Sequence, residues 1–487
     1  MRVLVLGSCA VVSAALFSTG CAADNQQESS GAGGGGSSGS SGQGGSGGGG
    51  GSAGAPAPAL DLDVEEVRAT SEPILDLIAL DDGRIGVITL NPGDPTAPTC
   101  PDCEGMKLDE QCPAQCRRDI LRFAVLGPGG EPESAPKTLR SYALPSLAHG
   151  FGLVDGAALS SDAVALAWQL CENPPSRSCT VEYTVVAKDG TPAFEPVTLY
   201  EHLYGDIRIA ANRELQQVLL VRTTVLDVRA GVDATIVDNA GMTVLDWTRL
   251  GTSRARWAAP AASASGFLVA MEERFPGTTE SGCPPCETLV PDCVALPPGC
   301  AQGEIEPEAG IYAYTVNAAG VAGREKVGTG WSDDGVYQDP SYVSAHAAAR
   351  PVVCEWSFGD RSYDVFARGD GWKTPSTAPN DKAPGWTSVF GADDNSAVWL
   401  AGVASLGPAL ADTRTVFVGG LVSSDGSSVT ATTIESVTGF SFAGTAAFEG
   451  PGSAVVAAGV LGLTSDASGY DHYSIVRVRW NPQAVGR

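Results

Sequence analysis

The chain has 487 residues, 61 of them Gly, with 43% hydrophobic and 18% charged side chains and a formal net charge of −26. A surface this acidic repels phosphate backbones, which excludes nucleic acid as a partner and disfavours adsorption to anionic headgroups through basic patches. The charge serves solubility, and no EF-hand-like run supports a calcium site.

Residues 1–20, MRVLVLGSCAVVSAALFSTG, join one basic residue to an apolar run too short for a comfortable membrane span and then to small residues, the pattern of an export signal. Its end, Leu16-Phe17-Ser18-Thr19-Gly20-Cys21, resembles the lipobox of bacterial lipoprotein precursors, with Ser18 where Leu is commonest. The resemblance implies a signal peptide over 1–20, lipid on Cys21 and an acylated new N-terminus. Ala22 after the Cys implies sorting to the outer membrane. The Gly/Ser-rich stretch that completes 21–58 has almost nothing apolar to bury and is expected to be disordered. As a flexible coil it spans roughly 30–36 Å, the reach of a leash between anchor and domain.

Over 59–482 the sequence reads as strands and turns, without a long amphipathic helical pattern. Strand, Gly-containing turn and strand recur in that order at 125–139, 185–199, 236–250, 315–328, 365–377 and 417–434. The turn glycines Gly130, Gly190, Gly241, Gly320, Gly371 and Gly426 are 60, 51, 79, 51 and 55 residues apart, and the long interval holds a Cys-rich insertion. Such a period implies radial repetition of four-stranded antiparallel blades, each burying its faces on its neighbours. Blades are expected from about Ser71 to Tyr142, then to Leu203, Gly251, Gly328, Asn380 and Val437, with a seventh from Thr438 that is one strand short. The segment Leu60 to Arg68, imperfectly alternating, is expected to complete it. The fold class is therefore an all-β, seven-bladed β-propeller closed by strands from both termini, a closure that removes exposed edges.

The cysteines cluster as Cys100, Cys103, Cys112 and Cys116, as Cys171 and Cys179, and as Cys283, Cys286, Cys293 and Cys300. Each group falls between the second and third strands of its blade, so all three should emerge on one face, called the upper. In an exported chain an even local count reads as disulfides, with Cys171–Cys179 the one sensible local pair and three pairings open in each four-Cys cluster. The C-x₂-C-x₈-C-x₃-C spacing would also suit zinc, against which stand export and the lack of a nearby His. Cys354 is left over and reads as a buried thiol in an inner or middle strand. No metal, cofactor or catalytic residue is assigned.

His149, His202 and His472 fall in or beside upper loops, where a lone His is usually solvated or capping. Connections between blades are rich in aromatic residues, Tyr200, Tyr204, Trp331, Tyr337 and Trp386, with Asp333, Asp334, Arg254 and Arg256 among them. Rings beside acids bind sugars, peptides or cations, or else pack between blades. The tentative binding set on the upper face is His202, Tyr204, Trp331, Asp333, Asp334 and Tyr337. The favoured function is a lipid-anchored envelope binding or scaffold protein, held to the membrane by its lipid and meeting a protein, peptide or glycan. The alternative is an envelope hydrolase or lyase using His202 with Asp333 and Asp334 at the channel mouth. No Gly-x-Ser-x-Gly, H-E-x-x-H or phosphate-loop motif occurs.

Overall fold

In a computed structural model of the chain the described residues are 62–94, 96–103, 112–146, 149–171, 178–203, 205–224, 231–251, 255–273 and 310–328. Beyond these the strands alone are described, from 342 to 480. The first strand, β1 (Leu62–Thr70), precedes sheet one, which is β2 (Ile74–Ala79), β3 (Ile85–Asn91), β4 (Arg118–Leu126) and β5 (Lys137–Ala143). Sheet two is β6 (Gly150–Ala158), β7 (Ala163–Cys171), β8 (Cys179–Ala187) and β9 (Val197–Leu203). Sheet three is β10 (Gly205–Asn212), β11 (Gln217–Thr224), β12 (Gly231–Asp238) and β13 (Thr243–Leu250). Sheet four is β14 (Ala255–Ser263), β15 (Gly266–Glu273), β16 (Gly310–Asn317) and β17 (Gly320–Gly328). Sheet five is β18 (Tyr342–Ala347), β19 (Pro351–Ser357), β20 (Ser362–Ala367) and β21 (Ser376–Pro379). Sheet six is β22 (Ala383–Asp393), β23 (Ser396–Ser405), β24 (Arg414–Val422) and β25 (Val429–Glu435). The last sheet takes β26 (Phe440–Gly450), β27 (Ser453–Leu461) and β28 (Tyr470–Trp480) from the C-terminal part of the chain and adds β1, antiparallel to β28.

Among the described residues, every one of these sheets is four-stranded and antiparallel, and all but the last, which borrows β1, are simple meanders. Their first strands adjoin one another: β2 lies beside β6 and β26, β6 beside β10, β10 beside β14, β14 beside β18, β18 beside β22 and β22 beside β26. Radially stacked meanders with their first strands innermost are the architecture of a β-propeller. The middle strands are apolar on both faces because each is covered twice, as in β7, where seven consecutive residues from Val164 to Leu170 are buried. Outermost strands face water and are mixed; in β13 only Leu250 is fully buried.

The six recurrent turns all join third to fourth strands. In the first three sheets the turn glycine is left-handed, with φ of 84° at Gly130, 81° at Gly190 and 78° at Gly241. Each also faces the sheet before it. A Cβ on Gly130 would overlap the Val67 carbonyl of β1, one on Gly190 would stand 2.8 Å from the Lys137 Cβ of β5, and one on Gly241 would stand 3.0 Å from the Phe194 ring. The outer strands answer with bulges: register slips at β1 between Glu66 and Arg68, and the β4–β5, β8–β9 and β12–β13 ladders slip likewise. The slip at Val67 accounts for the imperfect alternation of the segment beginning at Leu60. A bulged, twisted edge is also a poor template for pairing with another chain.

Innermost strands have one edge without a strand partner, and the backbone donors there need acceptors. Aspartates of the preceding sheet supply them. Asp76 of β2 accepts from the Gly156 N–H at 2.7 Å, and Asp155 of β6 accepts from the Ile209 N–H at 2.8 Å. Lower down, the Asn212 amide donates to the carbonyls of Ser263 and Gly266, and Arg213 donates to that of Ala158. These bonds set the C-terminal ends of β6, β10 and β14 side by side. Turns between first and second strands and between third and fourth strands therefore lie at one end, the lower. Segments between second and third strands and those joining successive sheets lie at the other. Arg477, donating to the carbonyls of Gly83 and Pro128, places the end of β28 at the lower end of sheet one.

Two measurements test this account. Gly130→Ala should destabilise the chain by more than Gly320→Ala, because Gly320 also has positive φ, 113°, but nothing within 4 Å of its Cβ position. Backbone strain alone costs about 1–2 kcal/mol, and the excess at Gly130, read as a shift in urea midpoint at constant slope, isolates the approach to Val67. Equal losses would mean that the approach is immaterial. Desolvation pushes the Asp155 carboxyl above the ordinary aspartate value, opposed by Arg208 and by the backbone donors. The folded chain then holds more protons than the unfolded one between those two values, so stability falls as pH rises through that interval. Asp155→Asn keeps an oxygen for Ile209 and should flatten that part of the pH–stability curve; an unaltered curve would deny the desolvation.

Candidate binding face

The upper end gathers the disulfides. Cys100 is bonded to Cys116 between β3 and β4, and Cys171 to Cys179 between β7 and β8. Cys112 is disulfide-bonded as well. These sulfurs are not free thiolates, which removes the four-thiolate zinc alternative for the first cluster. Cys103 ends a 3-10 turn, Pro101–Cys103. The first loop is laid onto the connection between sheets one and two: the Cys100 N–H donates to the Leu144 carbonyl, the Leu144 N–H to Arg117 and the Arg117 N–H to Pro98. Cys100, Cys112 and Cys116 pack with Ala143 beneath it.

That connection carries His149. It is buried, which corrects the solvated half of the expectation for a loop histidine, solvated or capping. Its Nδ1 meets the Ser146 Oγ at 2.8 Å, and its Nε2 is buried with no hydrogen-bond partner among the described residues. Nearby Asp119, also buried, accepts from the Gly93 N–H, and desolvation raises its carboxyl above the usual range.

Below the loops runs a belt of buried acids. In sheet two Glu182 of β8 accepts from the Trp168 indole of β7 at 2.8 Å and takes Arg140 in a fork at 3.0 and 3.2 Å. Arg140 belongs to β5, so the pair ties sheet one to sheet two. In sheet three Asp233 holds Arg222 at 3.0 Å and Arg249 at 2.8 Å. The Arg222 guanidinium lies 3.6 Å from the Tyr200 ring centroid and 4.5 Å from that of Trp247, two rings in an edge contact. In sheet four Glu273, with no exposed surface, accepts from Tyr314 and pairs with Arg324 at 2.8 Å, while Arg324 stacks on Tyr312. Burial and the adjoining carboxylate push the Tyr314 hydroxyl up, so it stays a donor. Glu72 likewise gathers Arg122 and Thr89 at the top of sheet one. The belt sets the loop bases on a firmer footing, since the carboxylates of Glu182, Asp233 and Glu273 have lost most of their water and are held by partners of fixed geometry, while their arginines keep some exposure.

Of the residues expected to bind, His202 is the penultimate residue of β9, at its upper end. Tyr204, Trp331, Asp333, Asp334 and Tyr337 lie outside the described residues, as do Cys283, Cys286, Cys293, Cys300 and the N-terminal Cys21. Tyr200 stands within β9 rather than in a connection between sheets; the bulge at Leu199 prolongs the strand past it. Cys354 lies in β19, a second strand. The acid belt escaped the sequence reading. Its one signal is an acid inside an otherwise apolar strand close to its loop end, as in CTVEYTVVA, GVDATIVD and GFLVAMEE.

No protein-family model and no curated protein matches the chain. Among solved structures, the chain is similar to a prolyl endopeptidase at 10% identity and TM-score 0.41, covering 83% of this chain and 46% of that one, so that it spans about half that enzyme's length. It is similar to the endosialidase of phage phi92 at 10% identity and TM-score 0.42, over 87% of this chain and 69% of that one. It is similar to the Aleuria aurantia lectin at 10% identity and TM-score 0.35, over 76% and 96%. At such scores these likenesses carry no argument about activity, and the architecture rests on the strand pairing.

Arg140→Met should leave Glu182 short of its charge partner, at somewhat under the roughly 3–5 kcal/mol of a fully buried pair because Arg140 keeps some exposure. Adding Glu182→Leu should recover part of that loss. A double-mutant cycle in urea that finds the two changes additive would show that they do not act as a pair.

Proposed function

We propose that the protein is a lipid-anchored component of the bacterial cell envelope in which a closed, seven-bladed propeller presents a disulfide-stapled face to a protein, peptide or glycan partner. One observation carries this reading: both disulfides with described partners lie between second and third strands, and so at the same end of their sheets. Loops of this kind are not needed for folding, and stiffening them lowers the entropy lost on meeting a partner. The buried acid belt beneath has the same effect on their bases. Closure is supported by β2 adjoining both β6 and β26, by Arg477 reaching Gly83 and Pro128, and by Gly130 against Val67. Lipidation rests on Leu16 to Cys21 and on the Gly/Ser-rich stretch behind it. In this reading residues 1–20 are removed, 21–58 form the leash and 59–482 the propeller.

The test has two arms. Cys21→Ser should leave the signal uncleaved and acyl mass absent, and move the chain out of the detergent phase; normal maturation of that variant would remove the anchor. Removing Gly282 to Gln302 should leave the fold intact by circular dichroism and abolish photo-crosslinks to the partner in intact cells. Retained crosslinks, together with their loss on substituting Asp393, at the lower end of β22, would put the functional face on the wrong side.

A further inference from the structure

The lower end has its own character. Among the described residues the large apolar side chains most open to water are Leu215, Met242, Val244 and Val321, at 42, 66, 36 and 42% exposure. All four belong to lower turns or the strand residues beside them. Leu215 lies in the turn joining β10 to β11, Met242 and Val244 in the hairpin of β12 and β13, and Val321 at the start of β17. Sheets three and four are neighbours, and β13 touches β17. Single apolar residues scattered over a surface need no explanation; these four share one end of two adjoining sheets.

The chain also joins the domain at that end. Leu62, the first residue of β1, pairs with Trp480 at the close of β28, and Arg477 of β28 reaches the lower turns of sheet one. The 61 residues before Leu62, which carry the expected lipid site, thus leave from the end that exposes Met242, and the disulfides lie at the opposite one. With residues 1–20 removed, the Gly/Ser-rich stretch would span roughly 30–36 Å as a flexible coil, and contact through the lower end leaves that reach unused, whereas turning the upper end to the membrane would spend about 30 Å of it on the height of a nine-residue strand.

We infer that the lower end of sheets three and four rests on the lipid bilayer that holds the anchor, with Met242, Val244, Val321 and Leu215 entering the headgroup region. This rests on the lipid-anchor reading proposed above. Apolar side chains gain by leaving water at the headgroup boundary, and the anchor supplies the local concentration that so small a patch lacks. Docking by this end turns the stapled loops away from the membrane.

The test uses the full-length, lipidated protein on phosphatidylcholine vesicles, with the unlipidated Cys21→Ser chain in buffer as reference. Amide exchange over 239–245 and 319–322 should slow severalfold on the vesicle, while 92–103 and 112–117 keep their rates. Met242→Asp with Val321→Asp, still lipidated, should lose the slowing. Unchanged exchange at the lower end of a chain shown by mass to be acylated and vesicle-bound would overturn the inference and leave the anchor standing. Slowing at the upper loops instead, or slowing that grows with protein density on the vesicle as for contact between copies, would overturn it too. A chain without acyl mass and absent from the vesicles would remove both readings.

Discussion

In the first three sheets, the contact on which the packing of neighbours depends is the seating of the third-to-fourth turn against the outer rim of the sheet before it. Gly130, Gly190 and Gly241 each take a left-handed backbone and each lie too close to the preceding sheet for a side chain. The two demands have one origin. A tight turn that reverses the chain at the sheet edge needs positive φ, and the same turn is the part of a meander that reaches its neighbour first. A side chain at Gly130 would meet the Val67 backbone, and one at Gly190 or Gly241 would displace the Lys137 or Phe194 side chain. Because the first such turn meets β1, the N-terminal strand is drawn into the same kind of contact that joins sheet two to sheet one and sheet three to sheet two.

Two further sets of bonds work at other radii. At the centre, Asp76 and Asp155 satisfy backbone donors on the free edge of the next inner strand. Their cost is desolvation, visible in the raised carboxyl of Asp155, and their return is a fixed stagger between inner strands. Midway out and towards the top, Glu182, Asp233 and Glu273 bind arginines that are held by stacking or forked bonds. Such pairs add little net stability compared with apolar packing; what they fix is geometry. Their placement directly under the loop segments ties that geometry to the proposed partner face.

The two ends of the sheets are thus chemically unlike. One carries covalent staples on long connections above a belt of buried charge. The other has short turns, ion pairs such as Arg213 with Asp81, and a few open apolar side chains on sheets three and four. A propeller tolerates this asymmetry because its core lies between sheets, leaving both ends free to vary.

Much of the fold was legible in residue order because the signals are local. Turn glycines at a repeating interval, alternating apolar strands and clustered cysteines each act within about ten residues, so the strand schedule and the position of Cys100, Cys116, Cys171 and Cys179 between second and third strands could be read directly. Even the strand at Leu62 could be assigned, since the last sheet was short by one. The buried carboxylates could not be read so. Arg140 and Glu182 are 42 residues apart and Asp155 and Ile209 are 54 apart, each pair on different sheets. An acid in an apolar strand looks the same whether it meets water or an arginine; only the packing of one sheet on the next removes the water and supplies the partner.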